Sequence, residues 1–320
     1  FTERFQGTVQ DSFVVGQEPE LLANNGIESV PQRVEGDNIA NYATITAHYD
    51  LTKLLSTDVG YENGYFDYRN HGTTILDLAS GDYPSLAGTL NRFEHTAWLN
   101  LNWLVLPETT ALVGVQYGQV DYIGNEPIAL VPYAPGVVYS SVRNNRSYTG
   151  YLGVQEKFLP NLVFAANVGA QYTDYYNDPL STTSLSPYVV ASLTYTYAPG
   201  DYVQIGVNHM RNATDQVDPV TSNGSIALDQ ESTLVYGDIN HYLTAKLLAT
   251  LIGQVQFSTY NGGLYNSDSD TVYSLGLNFS YTFTPHFSAD AGYNYDDVQS
   301  QVPGNGYGRN RVYVGVSAAY

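Results

Sequence analysis

Along most of the chain apolar and polar residues alternate with a period of two, and the alternation survives its turns. From Tyr281 to Asp297, the stretch YTFTPHFSADAGYNYDD puts aromatic or small apolar residues at odd positions and Thr, Ser, Asp, Gly or Asn at most even ones. A period of two sends successive side chains to opposite sides of an extended strand. The pattern predicts strands at 41–50, 54–68, 94–106, 109–122, 147–158, 161–175, 187–198, 202–211, 231–243, 246–260, 271–283, 286–297 and 310–320. A first strand near Phe1 to Val15 brings the expected number to 14, and the alternative is a 12-strand barrel with an N-terminal extension.

Each strand splits into two faces. Tyr273, Leu275, Leu277, Phe279, Tyr281 and Phe283 continue across the turn as Phe287, Ala289, Ala291, Tyr293 and Tyr295, opposite Ser274, Gly276, Asn278, Ser280, Asp290 and Asn294. Ala97, Leu99, Leu101 and Trp103 likewise oppose Thr96, Trp98, Asn100 and Asn102. Enclosing those amides and carboxylates in a dry core would cost roughly 1–3 kcal/mol for each group left without a partner. The polar face is therefore expected to be wet and the apolar face to meet hydrocarbon.

The connections alternate as well. Short ones, such as YDLTKLL at Tyr49, KFLPNLVF at Lys157 and TFTPHFS at Thr282, contain Thr or Pro. Long ones, at 16–37, 70–91, 123–145, 177–185, 212–228, 261–270 and 299–308, are rich in Gly, Asn, Asp and Pro. Short turns at one end and long loops at the other are the arrangement of a transmembrane antiparallel up-and-down β-barrel, which also pairs every backbone group that lipid could not satisfy. The expectation is one all-β barrel domain over 1–320 with about 14 strands, short periplasmic turns and long extracellular loops.

Aromatic spacing agrees. Phe287 and Tyr295 stand eight residues apart, or roughly 20 Å of height at about 3.3 Å per residue and a tilt near 40°, against an apolar band of about 25 Å. Tyr49, Trp103, Phe158, Tyr197, Phe283 and Tyr320 would form a girdle at the turn side, with Tyr65, Tyr117, Tyr148, Tyr172, Phe257, Tyr273 and Tyr295 forming the other.

Composition narrows the classes. Charged residues are 13% of the 320 and mean hydropathy is −0.21, and no run reaches the roughly 18 apolar residues of a membrane helix. Asp and Glu number 31 against 12 Lys and Arg, which argues against nucleic acid as a partner. With no cysteine, thiol catalysis and Cys-ligated zinc are excluded. The chain opens at Phe1 with no leader pattern, and any leader is expected to have been removed.

The last residues, RVYVGVSAAY, alternate Val312, Val314, Val316, Ala318 and Tyr320 and stop on an aromatic. This segment resembles the C-terminal signal strand of Gram-negative outer-membrane proteins. With ATITAHYDLTKLLSTDVGYENGYFDY, most of the chain resembles the putative β-barrel porin 2 type of outer-membrane barrel. The resemblance implies a bacterial outer-membrane location, contact with outer-membrane lipid, recognition by the barrel-assembly machinery through the C-terminal strand, and passive transport; a homo-oligomer is a further expectation.

On this phase the inward charges are Arg4, His48, Asp50, Lys53, Asp58, Glu62, Lys157, Asp238, Asp290, Asp296 and Arg311, a small acidic excess that predicts mild cation preference amplified by acidic loops at low salt. Asn100, Asn102 and Asn278 line the same face. Inward tyrosines Tyr42, Tyr68, Tyr151, Tyr188, Tyr236, Tyr260 and Tyr313 could stack sugars or simply narrow the barrel. The loop GNEPIALVPYAPGVVYSSVRNN, Gly124 to Asn145, is unusually apolar. It would fold over the lumen as a constriction or cover a neighbouring subunit, and deleting 126–138 would separate the two.

No cofactor is expected. NSDSDT, with Asp268 and Asp270, has oxygen ligands for a weak Ca²⁺ site but lacks the glycine and terminal Glu of an EF-hand loop. A rim-located hydrolase would have to use a pair such as His71 and Asp77, since no HExxH or GxSxG occurs. A closed barrel acting as scaffold, adhesin or part of a larger conduit is the other alternative, and reconstitution tells the three apart, since a pore conducts, a hydrolase turns over lipid or peptide and a scaffold does neither.

Overall fold

A computed structural model describes residues 4–16, 37–69, 72–124, 126–131, 136–218, 220–221 and 224–318. The strands are β1 (Phe5–Gly16), β2 (Asn38–Asp50), β3 (Leu55–Tyr68), β4 (Arg92–Leu106), β5 (Thr109–Tyr122), β6 (Pro127–Val131), β7 (Gly136–Tyr139) and β8 (Asn145–Leu159). They continue as β9 (Leu162–Asp174), β10 (Thr183–Ala198), β11 (Asp201–Asn212), β12 (Ala227–Thr244), β13 (Leu247–Gly262), β14 (Ser269–Thr284), β15 (Phe287–Ser300) and β16 (Tyr307–Ala318). Two short helices, α1 (Ile75–Ala79) and α2 (Leu86–Leu90), lie between β3 and β4.

Among the described residues fourteen strands form one antiparallel sheet in chain order, from which β6 and β7 are left out to make their own small hairpin. The fourteen-strand count stands in place of the twelve-strand alternative. Among the described residues β1 pairs only with β2 and β16 only with β15. The sheet is curled: side chains from nine strands, β3 to β5 and β8 to β13, line a single cavity.

The short turns show why Thr recurs in them. Thr52 Oγ1 accepts the amides of Leu54 and Leu55, Thr244 Oγ1 those of Lys246 and Leu247, and Thr284 Oγ1 that of His286. Each hydroxyl thus closes the reversal locally and satisfies amides that no strand partner reaches. Gly200, at φ +86°, completes the β10–β11 turn, a backbone shape that costs glycine little.

Apolar residues follow the expected face. Leu99, Val113, Val168, Ile205, Leu275 and Val314 are exposed on the outer surface, whereas Ser274, Asn294 and Asp296 of the opposite face are buried. The described residues bury two apolar clusters, and both include loop residues from the long-loop end. The larger joins Ile128, Ala129 and Val138 to Tyr175, Val217, Ile226 and Leu228.

Candidate functional site: the inner face and the loops above it

The inner face is a polar lattice whose registers bring the predicted residues together. His48 stands opposite Asp58 on β3, with His48 Nδ1 and Asp58 Oδ1 at 2.6 Å, and Asn102 donates to the same carboxylate at 2.5 Å. Tyr151 donates to Asn100 at 2.7 Å and Tyr313 to Asn278 at 2.9 Å. Thr44 donates to Glu62 at 3.2 Å, and Ser317 to Asp290 at 3.2 Å. Asp238 is buried with one carboxylate oxygen that meets no donor among the described residues. Lys157 is exposed near the short turn, where its amide donates to the Glu108 carbonyl.

Asp296 is the most enclosed of the predicted carboxylates, at 2% exposure, and it accepts from Arg311 at 2.7 Å and Arg309 at 3.2 Å. It is therefore a neutralised group. The structure adds pairs that periodicity did not single out. Arg92, buried against the Phe66 ring, bonds Glu94 at 2.6 Å. Arg211 holds both oxygens of Asp229 at 2.8 Å and reaches Glu231 at 3.2 Å. These residues lie at strand ends, where a charge beside a loop reads as a rim residue. Arg92 and Glu94 carried a sequence signal in unlike charges two residues apart, whereas Arg211 and Asp229, eighteen residues apart, carried none.

Inner aromatics lie along the wall. Trp98 stands opposite Gly60, Tyr151 opposite Gly114, Tyr236 opposite Gly206 and Tyr313 opposite Gly292, and in each pair the ring occupies the place a Cβ on that glycine would take. A ring laid on a glycine adds little to the wall's thickness. Trp98, Tyr151 and Tyr188, with Asn100, Gln116 and Gln171, border the cavity of about 460 Å³.

The girdle residues face outward. Trp103, Phe158, Tyr197, Phe283 and Tyr49 are exposed at the turn side. Tyr117, Tyr148 and Tyr172 stand opposite one another across β5, β8 and β9, and Tyr295 opposes Leu275. Tyr320 and His71 lie outside the described residues. Asp77 caps α1, bonding the Thr74 amide and hydroxyl at 2.7 Å. Asp270 accepts the Tyr260 hydroxyl rather than standing beside Asp268 in the loop, and among the described residues no group of three His, Asp or Glu could hold a metal.

Above the cavity the long loops meet across the mouth. Glu126 accepts the amides of Gly72 at 3.0 Å and Thr73 at 3.3 Å, and the Ser85 hydroxyl. Leu130 bridges Val220, and the Thr221 amide donates to the Leu130 carbonyl at 2.8 Å. Asn305 bonds Gln216, which ties the β15–β16 loop to the β11–β12 loop. Tyr83 of the β3–β4 loop lies against Tyr265 of the β13–β14 loop. The Tyr265 pKa is raised above its ordinary range by burial and then by Tyr83 and Asp218. Arg143 is wholly buried in this assembly, and burial pulls its pKa down. Tyr176, donating to Asp121, is pushed up to about 12 by burial and by that carboxylate.

No curated protein matches the sequence. Among solved structures, the chain is similar to a copper transporter OprC at 10% identity and TM-score 0.46, covering 100% of this chain and 63% of that one. It is also similar to the ferric yersiniabactin uptake receptor FyuA of Yersinia pestis, at 10% identity and TM-score 0.40, covering 98% and 61%. A third is the FrpB iron transporter of Neisseria meningitidis, at 8% identity and TM-score 0.45, covering 92% and 50%. The chain thus spans about half to two thirds of the length of these proteins. With an apolar band outside, a polar lattice inside and residues 166–320 matching the family model described as Putative beta-barrel porin 2, the chain is a β-barrel protein of the bacterial outer membrane.

Proposed function

We propose that the barrel is a water-filled channel for passive diffusion of small hydrophilic solutes and ions, with a slight preference for cations. The inner face carries the reading: over nine strands it presents amides, hydroxyls and carboxylates around one cavity while the apolar side chains point the other way. A packed core would have the reverse arrangement.

The charge preference rests on fewer groups than the sequence suggests. Asp296 and Asp229 are matched by arginines, and Asp58 is hydrogen-bonded to Asn102 and to His48, which neutralises it when the imidazole is protonated. Glu62 and Asp290 have hydroxyl partners instead, and Asp238 has none on one oxygen among the described residues. Cations passing close to these three would see uncompensated charge, an interaction screened within about 8 Å at physiological ionic strength.

Reconstitution in planar bilayers under a KCl gradient tests both parts. Conductance with a reversal potential on the cation side supports the reading, and a folded barrel that never conducts refutes it. A second reading, a closed barrel serving as scaffold or as part of a larger conduit, is favoured by the loops that meet across the mouth. Swelling of liposomes in graded solutes distinguishes it, because a closed barrel admits none.

A further inference from the structure

The β5–β8 loop carries the hairpin β6–β7 and then a turn of 3-10 helix, Ser140–Arg143, whose last residue is fully buried. Its guanidinium donates to three backbone carbonyls of two other loops: Thr89 at 3.3 Å, Thr214 at 2.9 Å and Gln216 at 2.5 Å. Thr89 belongs to the neighbouring β3–β4 connection and Thr214 and Gln216 to the β11–β12 connection, which is rooted three strands beyond β8, so one side chain ties together three separate connections. The Tyr122 ring lies 6.0 Å away, and the Arg143 Nε has no hydrogen-bond partner among the described residues.

The same three connections share other contacts. Ile128, Ala129 and Val138 pack on Val217 and Ile226. Leu130 bridges Val220 and Glu126 binds the β3–β4 connection. Most of these contacts are loop to loop, and Leu228 at the start of β12 is the wall residue in the apolar cluster. Among the described residues the hairpin's main-chain pairing stays within itself and at the Leu130–Val220 bridge, and it does not join the fourteen-stranded wall. A cover held by a small apolar cluster, a few loop hydrogen bonds and one guanidinium bonded to three carbonyls, with further attraction from Tyr122 and Asp215, is separable from the wall, because such partners recover only part of the hydration of a buried charge.

We propose that the β5–β8 loop is a gate over the outer mouth of the barrel, with Arg143 as the latch that holds it against the β3–β4 and β11–β12 connections. The closed position is the one described above. Opening breaks the three carbonyl bonds and lifts β6–β7 from Val217 and Ile226, leaving the polar cavity continuous with the exterior. This inference rests on the channel reading, since a gate has meaning only above a conducting lumen.

Single-channel recording on the full chain tests it. Arg143→Met keeps much of the side chain's length but cannot donate, and the fraction of time spent open is expected to rise several-fold. The lack of cysteine makes a second test clean. Leu130→Cys with Val220→Cys places two thiols across the bridge, and oxidation is expected to abolish openings that dithiothreitol then restores. The cross-link decides the matter even where Arg143→Met fails to fold. An oxidised channel that opens as often as the reduced one overturns the gate and leaves the channel standing, as does failure of the two thiols to cross-link in the folded barrel. A folded barrel silent as native chain, as reduced double variant and as Arg143→Met overturns the channel, and the gate with it.

Discussion

Trp98 of β4 stands opposite Gly60 of β3, and its indole occupies the place a side chain on residue 60 would need. The same joint is made by Tyr236 with Gly206 and Tyr313 with Gly292. Each locks the register of a strand pair, because slipping by one residue would drive the ring into a Cβ and turn every side chain to the wrong face.

Gly60→Val is therefore expected to destabilise the barrel by about 1–3 kcal/mol, the usual range for overpacking. Trp98→Ala in the same chain should return part of that loss. Urea titration of the barrel folded in vesicles, run as a double-variant cycle, measures the coupling; additive losses would mean that the ring and the glycine act independently.

Removing the acid between two guanidiniums is expected to be severe. Asp296→Ala leaves Arg309 and Arg311 facing each other in an enclosed part of the wall, at a cost of about 3–5 kcal/mol by analogy with other broken buried pairs. It also adds positive charge to the inner face, so channels that still fold should shift their reversal potential toward anions.

The three uncompensated acids should act in the opposite sense. Glu62→Gln, Asp238→Asn and Asp290→Asn together are expected to reduce cation preference at low salt and to make little difference near 1 M, where the screening length is about 3 Å. A preference unchanged at low salt would move the origin of selectivity to the acidic loops.

On the outer face, Leu277 stands opposite Leu251. Leu277→Arg puts a charge in the apolar band and should cost about 2–4 kcal/mol if the residue sits near the bilayer midplane. Asn278→Arg, one residue on and facing inward, should cost far less. Equal losses would contradict the assignment of faces.

Tyr176 provides a pH window. Its hydroxyl favours the protonated state because burial and the Asp121 carboxylate disfavour the phenolate, raising the pKa from 10 to about 12. The stability it contributes is complete below pH 10 and is lost as pH rises toward about 12. Tyr176→Phe should flatten that part of the stability curve; an unchanged slope would show that the hydroxyl does not bear on folding.

Much of this molecule was decided within short stretches of sequence. Strand positions, their alternation of faces, the Thr-closed turns and the outward girdle depend on a period of two and on contacts a few residues apart, and the observed strands fall within a few residues of those expected. Lengths differ mainly at the long-loop end, where β12 begins at Ala227 rather than 231 and β15 runs to Ser300 rather than 297. Strand ends there are extended by pairing with neighbours, which no single strand's pattern records. That Asp58, Glu62 and Asn278 share the polar face of their strands follows from the same local alternation.

The tertiary structure alone decided which inward charges cancel and what stands above them. Arg211 finds Asp229 eighteen residues away, and Arg143 finds Thr214 seventy-one residues away. The β5–β8 loop was recognisable as apolar, but its cover over the mouth depends on three loops brought together by curling of the sheet. Alternation is a property of one strand and can be read along it. Closure of loops over a cavity is a property of where strands stand around the barrel, and this depends on register and curvature summed over all of them.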